Sequence, residues 1–381
     1  MRGRLVLGGL AAAAALAALV GLGGCSHLGY YGQSIGGHFA LLGSARPVSD
    51  WITDPATPEP LRERLQLTER MRGFAVDALH LPDNASYRRY ADLGRPAAVW
   101  NVVAAPELGL TLKTWCFPVV GCVGYRGYFD RPAAEAEGAA LRAAGWDVGV
   151  YPVPAYSTLG RIPGDYFSDP LLNTFIRYPE GDLARLIFHE LAHQVAYAPG
   201  DTVFNESFAT AVERIGVRRW LDERAGPAAR EEYARVEARR EDFRALTLAA
   251  RNALDAVYRS DRTDDEKRAA KAAAFADLRA RHAALKAGPW AGFAGYDPWF
   301  DRANNAALGV LGAYFALVPR FEALFEAEGR DFDRFYAAVR RLAALPAAER
   351  AEALRRCGPD AAGARPACGS GGAAGAGGAE E

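Results

Sequence analysis

The chain is short of the residues that most often carry a protein's chemistry. Its 381 residues include six His, five Cys and two Met, and the 45 basic residues are almost all Arg. That Arg excess reads as genome base composition rather than as a binding surface. Basic and acidic residues, 45 against 46, leave a formal net charge of −1. A balance so near zero gives no electrostatic footprint for nucleic acid and argues against that class of partner. With 50% hydrophobic residues the chain can build a real core, and its length suits one large domain or two modest ones.

The first 24 residues read as a leader. Arg2 and Arg4 precede an apolar run from Leu5 to Gly23, mostly Ala and Gly, which ends in Leu22-Gly23-Gly24-Cys25. A basic start, a short apolar stretch and small residues at its end are the marks of a cleaved signal. Leu, two small residues and Cys resemble the bacterial lipobox, in which the Cys receives a lipid and becomes the new N-terminus. The rival reading is an uncleaved anchor, and either way the rest of the chain lies outside the cytoplasm. Ser26 after the Cys fits, by analogy, sorting to the outer membrane on its periplasmic face. In such a compartment thiols pair. Four Cys remain beyond Cys25, and of the three possible connectivities local pairing is preferred, Cys116 with Cys122 and Cys357 with Cys368. Neither pair has the spacing of a zinc ribbon.

Residues 25–58 are rich in Gly, Pro and aromatics with little periodicity and read as a surface tether. A catalytic unit over 59–357 is expected to have an α+β part, 59–180, and a helical part, 181–357. The first should hold a helix over 59–79, strands over 97–104 and 147–153, a hairpin within 110–129 and a helix over 132–144. The second should hold helices over 182–197 and 204–222, then a charged helical hairpin, 227–287, and further helices over 301–317 and 331–356. Residues 358–381, rich in Gly, Ala and Pro, read as a disordered tail.

One motif carries chemistry. His189-Glu190-Leu191-Ala192-His193 is an H-E-x-x-H sequence inside the apolar stretch Leu183–Ala196. Residues four apart on a helix differ by about 40° around its axis, so both imidazoles leave one face and can bind a single zinc ion. Glu190, about 100° from His189, can lean over the metal without ligating it and act as general base toward a zinc-activated water. It can then hand the proton to the leaving amine. A catalytic zinc needs a third protein ligand. The metzincin extension would place glycine at 196 and histidine at 199, where the chain has Ala196 and Pro199; the next histidine is His282. A carboxylate from the following helix is the better supply, either Glu206 or Glu213, two turns apart on one face.

The pattern H-E-x-x-H…N-E resembles the gluzincins, and Asn205-Glu206-Ser207-Phe208-Ala209 is similar to the N-E-G-F-A signature of zinc aminopeptidases. That resemblance implies Glu206 as third ligand and leaves Glu213 to hold a ligand imidazole in its working tautomer. Further segments extend the match: Gly29-Tyr30-Tyr31-Gly32-Gln33-Ser34, Leu81-Pro82-Asp83-Asn84, Val99 through Ala104, and Ala155-Tyr156-Ser157-Thr158-Leu159-Gly160. With the lipobox they resemble the bacterial putative aminopeptidase family of zinc-dependent lipoproteins, implying a zincin-like fold, one Zn2+ and a peptide substrate.

Carbonyl attack leaves an oxyanion that a Tyr donor would help to stabilise. Tyr156 is the first candidate, ahead of Tyr296 and Tyr314. Residues 147–159 are the best candidate for an edge strand that pairs with substrate backbone. The expected activity is zinc-dependent peptide hydrolysis in the cell envelope, as an aminopeptidase. The alternatives are an endopeptidase, or a non-catalytic lipoprotein that binds a partner through the hairpin.

Overall fold

The computed structural model describes residues 29–117, 121–157, 164–315 and 317–357. The leader, Cys25, Cys368 and the tail beyond Cys357 lie outside them.

The stretch read as a tether is folded. Residues 29–43 form a helix, α1. Its inward positions recur at threes and fours, and Leu41 and Leu42 reach the main core. Gly37 is required there, because a Cβ would come within 2.2 Å of the Phe129 ring. Of the glycines that hid the helical periodicity in the sequence, Gly37 is the one that allows this close approach.

Three small sheets follow. One has the order β1-β2-β8, with β1 (Arg46–Pro47) antiparallel and β8 (Leu171–Leu172) parallel to the central β2 (Arg89–Ala91). A second, antiparallel throughout, has the order β6-β3-β7, built from β6 (Arg126–Tyr128), β3 (Val99–Pro106) and β7 (Trp146–Val153). β7 is therefore an edge strand, in register from Val99↔Val153 to Pro106↔Trp146. Pro106 ends β3, where its missing N–H costs no internal ladder bond. The third sheet is the hairpin β4 (Trp115–Phe117) and β5 (Gly121–Val123), with a disulfide between the paired residues Cys116 and Cys122. Cys357 is also disulfide-bonded, and its partner lies outside the described residues. In the chain, α2 (Val48–Thr53) and α3 (Glu59–Asp77) lie between β1 and β2. α4 (Arg131–Ala143) packs on the second sheet, with Asp130 at its N-cap accepting from Ala133 N at 2.9 Å.

The remainder is helical: α5 (Glu180–Ala192), α6 (Thr202–Glu223), α7 (Pro227–Arg259), α8 (Asp264–Ala287), α9 (Asp297–Asp301), α10 (Asn305–Phe315), α11 (Val318–Ala327), α12 (Phe332–Ala344) and α13 (Ala347–Arg355). The α+β expectation holds. The segment read as one helix over 331–356 is two, divided at Pro346, which takes the N-cap of α13. α11 is an element the sequence reading left out. The α7–α8 hairpin closes over its own core of Leu246, Leu254, Phe275 and Leu278, capped by Trp290 and Phe300. His282 belongs to that core and stacks on Phe300 with centroids 3.9 Å apart. Among the described residues, no helix is long and apolar enough to cross a membrane.

Candidate functional site

α5 carries the H-E-x-x-H residues on its last turn. Leu183, Ala184, Ile187, Phe188, Leu191 and Ala192 are fully buried and seat it in the core. The face left over by this packing presents His189, Glu190 and His193. The helix stops at His193, beyond which the bonds Gln194 N→Leu191 O and Val195 N→Ala192 O tighten the chain into a turn. The connection to α6 is short and pinned from two sides. The Asn205 carboxamide accepts from Ala198 N at 2.7 Å and donates to Ala198 O at 2.9 Å. Asp201, the N-cap of α6, accepts from Phe204 N at 3.0 Å and pairs with the buried Arg350.

The motif Asn205–Ala209 can thus be read residue by residue. Asn205 holds the loop and Glu206 faces α5. Ser207 Oγ accepts from Leu317 N at 3.2 Å, at the start of α11. Phe208 fills the cluster of Phe321, Phe335 and Tyr336, and Ala209 is small enough to lie fully buried between the helices. Asn205→Ala would strand the buried N–H and C=O of Ala198. The expected loss is about 2–4 kcal/mol of stability, measured by urea unfolding.

Three donor atoms converge. His189 Nε2 and His193 Nε2 are 3.1 Å apart, and Glu206 Oε2 lies 3.3 Å from the first and 3.7 Å from the second. All three ligand atoms lie within 4.8 Å of one another. Zinc–nitrogen bonds of 2.0–2.1 Å in a tetrahedron put neighbouring ligand atoms about 3.3 Å apart, so the trio has the dimensions of three corners of such a site. The tautomer agrees. His189 Nδ1 lies 2.9 Å from Glu213 Oε2, a carboxylate that can only accept, so Nδ1 donates to Glu213 and Nε2 is the nitrogen left to face the cluster, where a metal would displace its proton. Glu213 is itself held by Arg185, whose Nε donates to Oε1 at 2.7 Å.

The electrostatics call for a cation. Burial opposes charging His189, yet the hydrogen bonds and charges of Glu206 and Glu213 outweigh it and raise the imidazole well above its ordinary value. Burial likewise opposes ionisation of Glu206, and His193 and His189 hold its carboxylate far below the usual range. Glu213 is lowered against burial by Arg185 and His189. Two buried carboxylates with one guanidinium leave a surplus negative charge, which a proton or a metal ion at the imidazoles would neutralise.

Glu190 stands outside the trio, and among the described residues its carboxylate has no hydrogen-bond partner. It lines a cavity of about 390 Å³ together with His189, Thr210 and Pro154, the residue that follows β7. The face of α5 carrying Glu190 continues to Gln194. Gln194 accepts from Asn84 Nδ2 at 2.6 Å and donates to Ser86 Oγ at 3.1 Å. The neighbouring Tyr87 is buried at φ +63°, and its hydroxyl has no partner among the described residues. Burial, then the charges of Glu190 and Asp169, raise its pKa well above the ordinary value.

Of the tyrosines offered by the sequence, Tyr156 has its hydroxyl 3.0 Å from His38 Nδ1, on α1. The chain turns toward α1 after β7 and so directs that hydroxyl to His38. Tyr296 stacks on Phe243 in the hairpin core; the Tyr314 side chain lies outside the described residues. Two tyrosines not singled out share the field of Glu206. Tyr151, on β7 and hydrogen-bonded to Asn101, is pushed up to about 12 by burial and then by Glu206. Tyr125 has a side chain 37% exposed at the surface, but its hydroxyl is raised by local desolvation, then by Glu206, Tyr197, Tyr151 and Glu190. Strand alternation could have flagged Tyr151. Tyr125 gives no sequence signal, because the segment before it meets the loop after α5 only through the fold: at Gly121, which opens β5, a Cβ would lie 3.2 Å from Gly200 N.

No curated protein and no solved structure matches the chain. Residues 29–354, spanning the three donors, Glu190, the edge strand and the helices around them, match the sequence profile of a family described as putative aminopeptidase. The chain belongs to the putative aminopeptidase family.

Proposed function

We propose that this protein is a zinc-dependent metallopeptidase of zincin-like fold, an aminopeptidase of the cell envelope anchored by lipid at Cys25. The observation that carries this reading is the convergence of His189, His193 and Glu206 beside a cavity that Glu190 lines. His189, His193 and Glu206 would hold the ion, with Glu213 and Arg185 fixing the orientation of His189. Zinc, when bound, supplies a Lewis acid and lowers the pKa of water. Glu190 takes the proton of the attacking water and returns it to the leaving amine. An edge strand is a template for extended peptide, and β7 presents its free edge near the mouth of the cavity through Pro154. Tyr125 and Tyr151, phenols in the field of Glu206, are the candidates for the oxyanion donor ahead of Tyr156, whose hydroxyl meets His38.

The hairpin supports the catalytic reading. Its buried apolar residues pack with Leu110 and Leu308 from outside the hairpin, and its root braces the metal helix, where Tyr233 lies so close to Gly181 that a Cβ there would come within 2.3 Å of the ring. Its charged outer face is solvated scaffold.

The test is hydrolysis of matched peptides with free and acetylated N-termini. The free peptides should be cleaved, chelation should abolish cleavage, and one equivalent of zinc per chain should restore it. Cleavage of the acetylated series at a comparable rate would make the enzyme an endopeptidase. Absence of hydrolysis on either series would favour a binding lipoprotein.

A further inference from the structure

Helix α1 has an outward face unlike the rest of the molecule. Among the described residues, five large hydrophobic side chains are substantially exposed, and three of them, Tyr31 (40%), Ile35 (56%) and Phe39 (48%), lie on this helix at steps of four. Steps of four place them in one row about 12 Å long. The exposed positions beside them are Gly32, Gly36 and Ala40. From Leu5 through Ala45 the sequence has no Asp, Glu, Lys or Arg, although 24% of the whole chain is charged. Exposed helix faces elsewhere carry those charges.

The helix cannot roll to bury this row. Its opposite face is fixed by Arg126 over the Tyr30 ring at 4.0 Å, by Phe129 N donating to Gln33 Oε1 at 2.9 Å, by the His38–Tyr156 contact and by the buried Leu41 and Leu42. An apolar, charge-free, convex ridge held outward on a rigid body is costly in water and marks a contact surface. Its chemistry suits a bilayer better than a protein, since among the described residues the row and its exposed neighbours on the helix carry no charged side chain that would specify a partner by an ion pair. Tyr and Phe among small residues are fit for the boundary between headgroups and acyl chains.

We infer that the row Tyr31, Ile35 and Phe39 lies in the surface of the membrane that holds the lipid at Cys25. This rests on the lipid-anchor reading. Cys25 stands six residues before Tyr31, a span of at most about 20 Å, so the lipid and the ridge can enter one leaflet together. A lipid alone is a flexible tether; the ridge gives a second point of attachment and fixes which side of the enzyme faces the membrane. Through Gln33–Phe129 and His38–Tyr156 that orientation passes to the body carrying the edge strand.

The test uses full-length lipidated protein in phosphatidylcholine vesicles, with a nitroxide at Ile35→Cys and a control nitroxide at Phe293→Cys. Reconstitution should reduce collision of the label at 35 with a water-soluble nickel chelate about tenfold, leave the label at 293 unchanged, and be indifferent to salt. Adding Tyr31→Ser and Phe39→Ser should restore nickel access at 35 while the protein stays on the vesicles. A label at 35 that remains open to nickel with the lipid in place overturns the inference. So does one protected equally without vesicles, since another copy or another segment of the chain would then cover the ridge. Mass spectrometry of the same preparation that finds Cys25 unmodified overturns the anchor, and the inference with it.

Discussion

Glu190→Gln should keep its zinc and lose its peptidase activity. The substitution preserves size and helical fit but replaces the one carboxylate at the cavity that is not committed to a histidine or an arginine. General acid–base catalysis contributes about 10²- to 10⁴-fold, and kcat/KM for a free-amine peptide should fall by that range. Zinc content should stay at one per chain, because His189, His193 and Glu206 are untouched. Circular dichroism should be unchanged, since Glu190 makes no hydrogen bond among the described residues that the fold would miss. A variant as active as wild type would sink the mechanism, and one that loses metal in step with activity would move Glu190 into the ligand set.

The second large effect separates two glutamates seven residues apart on one helix. Glu206→Ala removes one of three converging donors. Glu213→Gln removes only the charge that holds His189 Nδ1, an outer partner whose loss typically lowers metal affinity about 10- to 100-fold. Zinc affinity from competition with a chelator should therefore fall further for Glu206→Ala than for Glu213→Gln. Glutamine is the informative replacement at 213, because its carbonyl can still accept from Arg185 or His189. Alanine there would leave the Arg185 guanidinium largely buried without its partner, at a cost of about 3–5 kcal/mol, and would mix unfolding with metal loss. If Glu213→Gln releases zinc more readily than Glu206→Ala, the third ligand must be reassigned.

Much of the fold was legible where local periodicity governs. The charged hairpin was expected over 227–287 and its helices are Pro227–Arg259 and Asp264–Ala287, bounded by Gly226 at one N-cap and a Thr263 capping box at the other. β7 was expected over 147–153, where alternation is regular. What stayed hidden depends on distant partners. The glycines of α1 read as loop until Phe129 explains Gly37. Tyr156 was favoured for its nearness in sequence to the metal helix, but its hydroxyl meets His38 on an element more than a hundred residues away. Tyr151 reaches the field of Glu206 from β7 and Tyr125 from the link between β5 and β6.

By itself the sequence determined the pair of imidazoles and the free carboxylate between them. That arrangement is a property of one helix, in which residues four apart share a face whatever the rest of the chain does. It also narrowed the third donor to two carboxylates on the next helix. Only the tertiary structure set which of those two faces His189 Nε2 and which holds Nδ1. Glu206 and Glu213 are about 10.5 Å apart along their helix, so the choice turns on how far α6 is shifted along α5. That shift is fixed by the Asn205 clamp on Ala198 and by Arg185 reaching across to Glu213, contacts between side chains and loops that no local spacing encodes.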